Sequence, residues 1–223
     1  MNKHKYINKD KIKNELIPLF STPVVKTNIG REFTEDEIQL LLSDIPMERD
    51  ETKHPNHRSK DYYLFDTFAD KELKDIKKFC EQEIQKYLEE IEGADTDLAT
   101  LRITQSWLNN TKPDENQHLH THQNSYISGV LYFHCLPNDH INFNNRMNGA
   151  YQNINFTSKK LTAWNSNTVV INVKKGDLIL FPSWIPHSVD VNKTKDKERV
   201  SLAFNTFPIG EMGAYNDPNH LKL

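Results

Sequence analysis

Hydrophobic and polar positions follow one period in the first half of the chain and another in the second. From Asp70 to Glu92 the apolar residues Leu73, Ile76, Phe79, Cys80, Ile84, Tyr87, Leu88 and Ile91 recur at steps of three and four. That spacing lines one face of an α-helix. Gly93 follows directly and is a helix stop, because glycine enters the left-handed region at no steric cost. Thr34-Glu35-Asp36-Glu37 is a capping box, with Thr at the N-cap and Glu at the third helical position, and it predicts a short helix through about Leu42. Leu16–Phe20 and Pro23-Val24-Val25 read as a first strand interrupted by prolines, which belongs at a sheet edge where a missing N–H does no harm. Residues 1–15 read as a polar lead-in or a short helix, and residues 50–61, charged and aperiodic around Pro55, as a loop.

Beyond residue 98 the period is two. In Leu101–Asn109 the alternation puts Leu101, Ile103, Gln105, Trp107 and Asn109 on one face of a strand. Tyr126–Cys135, Ile141–Phe143, Thr168–Val173, Asp177–Phe181 and Arg199–Phe207 read as further strands, with Lys175-Gly176 as a turn between two of them. No internal repeat is visible. Helices first and many short strands afterwards predict a mainly β domain, a sandwich or jelly roll with helices packed outside it. At 223 residues a single domain is expected, with residues 1–97 as an N-terminal strand and helical support and residues 98–209 as the jelly-roll core.

Composition removes several function classes. The chain carries 28 Lys+Arg against 31 Asp+Glu, a net charge of −3, without a block of like charges. This is not the footprint of a nucleic-acid or membrane-surface binder. Cys80 and Cys135 lie far apart in unlike contexts and form neither a disulfide framework nor a zinc ribbon, so a reducing cytoplasm is expected. The first twenty residues are rich in Lys and Asn and hold no apolar signal-peptide core. No window approaches the ~18 apolar residues of a membrane span.

The candidate chemistry lies in histidines. His118, His120 and His122 alternate in His-Leu-His-Thr-His, and His187 ends the segment Leu178-Ile-Leu-Phe-Pro-Ser-Trp-Ile-Pro-His. Residues i and i+2 of a strand share a face, so His120 and His122 can point inward together, about 6–7 Å apart at Cα. A third ligand from another strand, His187, would complete one face of an octahedron and leave the other open, the geometry of non-haem Fe(II) oxygenases. The usual set there is two histidines and a carboxylate. Three neutral imidazoles instead leave the ion its full +2 charge. His118 is a ligand if the register shifts by two, and otherwise supports the set from behind. His54, His57, His134 and His140 have no partner at a useful spacing and read as solvated surface.

Arg199, Ser201 and Ala203 share one face of an alternating strand. A guanidinium buried on that face without an internal partner would need an anion. A dicarboxylate suits it, gripped through two N–H groups with a further bond from the Ser201 hydroxyl. The plainer alternative has Arg199 in solvent beside Asp196 or Glu198. Tyr132 and Asn109 are candidate inward donors to the same ligand, or ordinary strand residues.

Together these residues resemble the 2-oxoglutarate/Fe(II)-dependent oxygenase superfamily, with its order of His-x-carboxylate, distal His, then Arg-x-Ser. A closer resemblance is to a 2-oxoglutarate/Fe(II) oxygenase family of marine bacteria and phages. It is carried by Leu19-Phe20 with Pro23, Gln105-Ser-Trp-Leu-Asn109, His120-Thr-His122-Gln-Asn-Ser125, Ser128-Gly-Val-Leu-Tyr132, Gly176–His187 and Arg199-Val-Ser-Leu-Ala-Phe-Asn205. The resemblance implies a double-stranded β-helix core, Fe(II) on His120, His122 and His187, and 2-oxoglutarate with its far carboxylate on Arg199 near Ser201. It also implies oxidation of a small-molecule or peptide substrate with release of succinate and CO2. His122 stands where the superfamily has a carboxylate. Phe143-Asn-Asn-Arg146 sits where the family has a short Phe/Pro/Arg-bearing segment, which makes Arg146 a substrate-side candidate. Two rivals stand beside this reading. One is a three-histidine cupin-type dioxygenase that uses no 2-oxoglutarate. The other is a non-catalytic jelly-roll binding module.

Overall fold

The computed structural model describes residues 21–49, 56–145, 157–162 and 165–223. Twelve strands alternate with short helices in the order β1 (Val25–Asn28), α1 (Glu35–Gln39), β2 (Met47–Arg49), β3 (His57–Ser59), α2 (Leu64–Thr67), α3 (Lys74–Tyr87), β4 (Ala99–Thr111), β5 (Gln117–His120), β6 (Ile127–His134), β7 (His140–Asn144), β8 (Thr168–Asn172), β9 (Asp177–Pro182), β10 (His187–Val189), β11 (Arg199–Met212) and β12 (Leu221–Lys222). The large antiparallel sheet runs β1-β9-β6-β11-β4-β3-β2, with β12 attached to β11, and the small sheet runs β5-β10-β7-β8. The two enclose a jelly roll, the double-stranded β-helix expected from the resemblance.

Alternation divides the large sheet between two cores. Leu178 and Leu180 of β9, Leu131 and Phe133 of β6, and Leu202 and Phe204 of β11 pack in one cluster with Ile76, Cys80, Ile84 and Tyr87 of α3. Ile179, Phe181 and Tyr132 turn the other way and meet Ile141 and Phe143 of the small sheet. Both faces of the sheet centre are therefore covered, and every residue of β9 is buried. This is why Leu178–Phe181 reads as an unbroken apolar run.

The helical expectations for α1 and α3 hold, and residues 1–15 lie outside the described residues. Thr34 Oγ1 accepts from the Glu37 N–H at 3.2 Å, and the Glu37 carboxylate accepts from the Thr34 N–H at 2.7 Å. α3 continues through a π-type turn at Leu88–Glu92 and stops at Gly93, whose φ is 63°. β1 is an edge strand, but it begins at Val25, after Pro23, and shares only that residue with the expected proline-interrupted strand. The Lys175-Gly176 turn stands between β8 and β9, with Gly176 at φ 82°.

Two expectations change. The supposed loop at residues 50–61 contributes β3 at its C-terminal end, paired with β2 and β4. The five-residue face of β4 is broken by a bulge: Asn205 pairs with Gln105, and the next residue, Thr206, pairs with Ile103. Thr104 is the extra residue, and an extra residue reverses the phase of alternation. Leu101 and Ile103 consequently join the helix-side core with Leu108, while Gln105, Trp107 and Asn109 line cavities on the opposite face. Leu16–Phe20, His54 and Arg146 lie outside the described residues. Among the described residues, no helix is long and apolar enough to cross a membrane.

Gly129 of β6 marks the closest approach in the helix-side core. A Cβ there would stand 2.1 Å from Phe204 Cζ, and Phe204 is fully buried. Gly129→Ala is expected to cost about 1–3 kcal/mol of stability through overpacking, read as a lowered midpoint in denaturant or thermal melts.

Candidate metal centre

Register brings the first two histidines together. His120 ends β5 and His187 opens β10, and the two are direct partners across the antiparallel pair. His122 arrives differently from the expected i, i+2 alternation. β5 ends at His120, and His122 lies in the following loop, its N–H donating to the Ser183 carbonyl at 3.0 Å. One side-chain nitrogen from each of His120, His122 and His187 lies within 4.8 Å of the others. His118 is not in this group. Its ring stacks on His120 with centroids 4.9 Å apart, and its carbonyl accepts a hydrogen bond from His120.

The hydrogen bonds set the tautomers. His120 Nδ1 lies 2.8 Å from the His118 carbonyl, and His187 Nδ1 lies 3.0 Å from the Ile185 carbonyl. A carbonyl only accepts, so both Nδ1 atoms carry the proton. His122 Nδ1 lies 2.6 Å from Asn205 Oδ1 and 3.1 Å from Ser128 Oγ. In a neutral imidazole with a protonated Nδ1, the lone pair is on Nε2, the arrangement used by metal-binding histidines held from behind. The Nε2 atoms of His120 and His122 face each other at 3.2 Å. Two lone pairs at that separation repel unless a cation lies between them. Burial, reinforced by the neighbouring His120 and His122, pushes the His187 pKa down to about 2, so its imidazole is neutral. Burial also lowers that of His122, partly offset by its bond to Asn205.

Asn205, Ser128 and Ser183 form the support behind His122. The Ser128 hydroxyl donates to Asn205 Oδ1 at 2.9 Å and lies 2.8 Å from Ser183 Oγ, and all three residues are buried. Ring contacts confine the imidazoles: Phe181 meets His187 edge-on at 4.6 Å between centroids, and Trp107 is tilted against His122 at 5.7 Å.

Two cavities meet at this cluster. His120 and His122 line both, as do Trp107, Asn109 and Gln117. The inner one, about 70 Å³, runs toward Tyr132, Arg199 and Ser201, with Val130 and Ile141 as its apolar wall. All four proposed cosubstrate residues, Arg199, Ser201, Tyr132 and Asn109, thus border one space. Burial raises the Tyr132 hydroxyl above its ordinary pKa, which keeps it a proton-bearing donor. The outer cavity, about 420 Å³, carries the side chains of Asn56, Arg58, Tyr62, Gln105 and Thr121.

Arg199 corrects the sequence expectation. It is buried, and it has an internal partner that the sequence reading did not find. Its Nε lies 2.7 Å from both carboxylate oxygens of Asp139, and its Nη2 lies 2.5 Å from Oδ1. The side-on fork of Nε and Nη2 is therefore taken, and what remains for an incoming carboxylate is the Nη1 end of the guanidinium. Nη1 is buried and has no hydrogen-bond partner among the described residues. Neither Asp196 nor Glu198 is the counter-ion.

Residues 105–205 match a family model described as "Putative 2OG-Fe(II) oxygenase". That stretch, somewhat under half of the chain, is similar to the 2OG-Fe(II) oxygenase family. The matched stretch contains the three histidines, both cavities' β4 and β11 walls, and the Arg199–Asp139 pair. No curated protein matches the chain. Solved structures share its fold at low identity. The carbocyclase SnoK from nogalamycin biosynthesis, described as non-heme and alpha ketoglutarate dependent, is 13% identical over 87% of this chain and 84% of its own, with TM-score 0.55. HygX from Streptomyces hygroscopicus, crystallised with nickel, 2-oxoglutarate and hygromycin B, is 12% identical over 83% of each chain, with TM-score 0.52. A Pseudomonas putida prolyl-4-hydroxylase is 14% identical over 84% of this chain and 94% of its own, with TM-score 0.51.

Several functional neighbours escaped the sequence reading. Asn205 shares the alternating face of Arg199 and Ser201, and Ser128 that of Tyr132, so both were within reach of the same period-two argument. Asp139 lies in the turn between β6 and β7, where periodicity carries no signal. His57 and His140 are not free surface residues: their rings lie 3.0 Å from Glu115 and 3.1 Å from Asp190. His134 is exposed, as expected.

Proposed function

We propose that the protein is a 2-oxoglutarate/Fe(II) oxygenase that holds Fe(II) on Nε2 of His120, His122 and His187, takes 2-oxoglutarate in the inner cavity, and oxidises a small-molecule or peptide substrate presented from the outer one, releasing succinate and CO2. The observation that carries this reading is the convergence of three back-supported Nε2 atoms at the mouth of a cavity into which Arg199 brings a buried, partnerless Nη1. Bound Fe(II) with the oxo acid supplies O2 activation coupled to oxidative decarboxylation. The residues supply placement. The Nδ1 bonds of the histidines fix ring orientation and keep Nε2 available. Nη1 of Arg199 and the hydroxyls of Ser201 and Tyr132 are donors for a distal carboxylate. Val130 and Ile141 keep the inner cavity dry, which strengthens each of those bonds. Asn109 stands where the cavities meet and can touch both reactants. A cytoplasmic setting suits an iron enzyme with two free cysteines.

The test is thermal denaturation of the anaerobic Fe(II)-loaded protein. At a hundredfold excess over Kd, 2-oxoglutarate should add about 2.7 kcal/mol, a rise of roughly 5–10 °C for a chain of this size. Aerobic succinate release should accompany it. A three-histidine dioxygenase without an oxo acid gives iron binding and no shift, and a non-catalytic module gives neither.

A further inference from the structure

Asp139 is paired with Arg199, which lines the inner cavity, and its own side chain is 0% exposed. It is held from two sides. Its oxygens accept the backbone N–H groups of Leu136 and His140, each at 3.1 Å. The same oxygens accept Nε and Nη2 of Arg199. A guanidinium tied through two of its nitrogens to an anchored carboxylate cannot swing about its stem. Its plane is fixed, and so is the direction of the remaining nitrogen. We propose that Asp139 is a positioning residue that holds Arg199 so that the Nη1 end of its guanidinium faces the cosubstrate, and that it thereby sets the preference of the inner cavity for a 2-oxo acid with a distal carboxylate. The proposal rests on the oxygenase reading above.

The chemistry follows from the donor count. A distal carboxylate meets one charged N–H donor at a set position, with the Ser201 and Tyr132 hydroxyls bordering the same space. An acid ending in a methyl group would leave Nη1 buried and unsatisfied, which is the costly outcome. Discrimination therefore depends on Nη1 staying where it is. With asparagine at 139 an NH2 group faces the guanidinium fork, the two-nitrogen tie is lost, and the long arginine stem is released. A purely structural role for Asp139, as counter-ion to a buried arginine, would predict something different: every 2-oxo acid would be affected alike.

The experiment is calorimetric titration of the anaerobic, Fe(II)-loaded full chain with 2-oxoglutarate and with 2-oxopentanoate, which has a methyl group in place of the distal carboxylate. Wild type should prefer the dicarboxylate. Asp139→Asn should lower the ratio of the two affinities by at least about tenfold, the scale on which supporting partners act, entirely through weaker 2-oxoglutarate binding and with iron content unchanged. A ratio that stays constant or rises overturns the proposal. Should Asp139→Asn fail to fold, the double variant Asp139→Leu/Arg199→Met replaces the ion pair by apolar side chains, a change buried pairs often tolerate. It should bring the ratio close to one, and a retained preference overturns the proposal. Wild type that carries full iron and binds neither acid overturns it together with the oxygenase reading. Failure of the positioning role alone leaves wild-type binding intact, so the two failures are distinguishable.

Discussion

His187→Ala is expected to lower bound Fe(II) at least about tenfold while the chain stays folded, since the loss of even a supporting partner costs a metal site that much. His187 is 4% exposed, the most buried of the three histidines. Its ring has Phe181 on one side and the other two imidazoles on the other, so no solvent-borne ligand stands ready to replace it. His120→Ala should behave the same way. His118→Ala should be mild, because His118 supports His120 through its backbone carbonyl, which the substitution keeps. Iron content after anaerobic reconstitution is the measurement. Undiminished iron in both His187→Ala and His120→Ala would remove the metal centre. An essential His118 with a dispensable His122 would shift the ligand set by two residues.

Arg199→Ala should weaken 2-oxoglutarate binding by about 2–3 kcal/mol, the scale of one hydrogen bond to a charged group, or roughly 30- to 140-fold in Kd. The pair with Asp139 adds a second effect. Truncating Arg199 strands the Asp139 carboxylate in the interior, at a cost to folding of about 3–5 kcal/mol. The variant should therefore melt lower even with no ligand present, while its iron content stays close to wild type. Arg199→Lys should recover part of the stability and less of the affinity, because an ammonium cannot span both carboxylate oxygens and still offer a donor in a fixed direction. Iron lost together with 2-oxoglutarate affinity would argue against separate roles for the arginine and the histidines.

The parts of this molecule that obey a period were legible in the sequence. α3, its glycine stop, the capped α1, and the strands β6, β7, β8, β9 and β11 follow from spacing, and so does the common face of Arg199, Ser201 and Ala203; β10, which carries His187, does not. What escaped depends on departures from period or on turns. The bulge at Thr104 moves Trp107 and Asn109 off the face of Leu101 and Ile103, and nothing in Leu101–Asn109 marks the extra residue. His122 reaches the cluster from a loop, so the expected strand geometry pointed to the right residue for the wrong local reason. Asp139 sits in a turn, sixty positions from the arginine it binds. No local pattern reports a partner at that distance.

The Arg199–Asp139 pair also couples the two ligands of the proposed site. Its charges cancel, and burial disfavours the charged forms of His122 and His187, so without iron the inner cavity offers a dianion the hydrogen-bond donors of Arg199, Ser201 and Tyr132 but little net positive charge. The attraction enters with the metal, undiminished by any carboxylate ligand. On the proposed reading the oxo acid binds strongly to the iron-loaded protein and weakly to the metal-free one. Linkage makes that dependence reciprocal: 2-oxoglutarate tightens the hold on iron by the same factor. A three-histidine centre, weak by itself for want of an anionic ligand, thus retains its metal best when its cosubstrate is abundant.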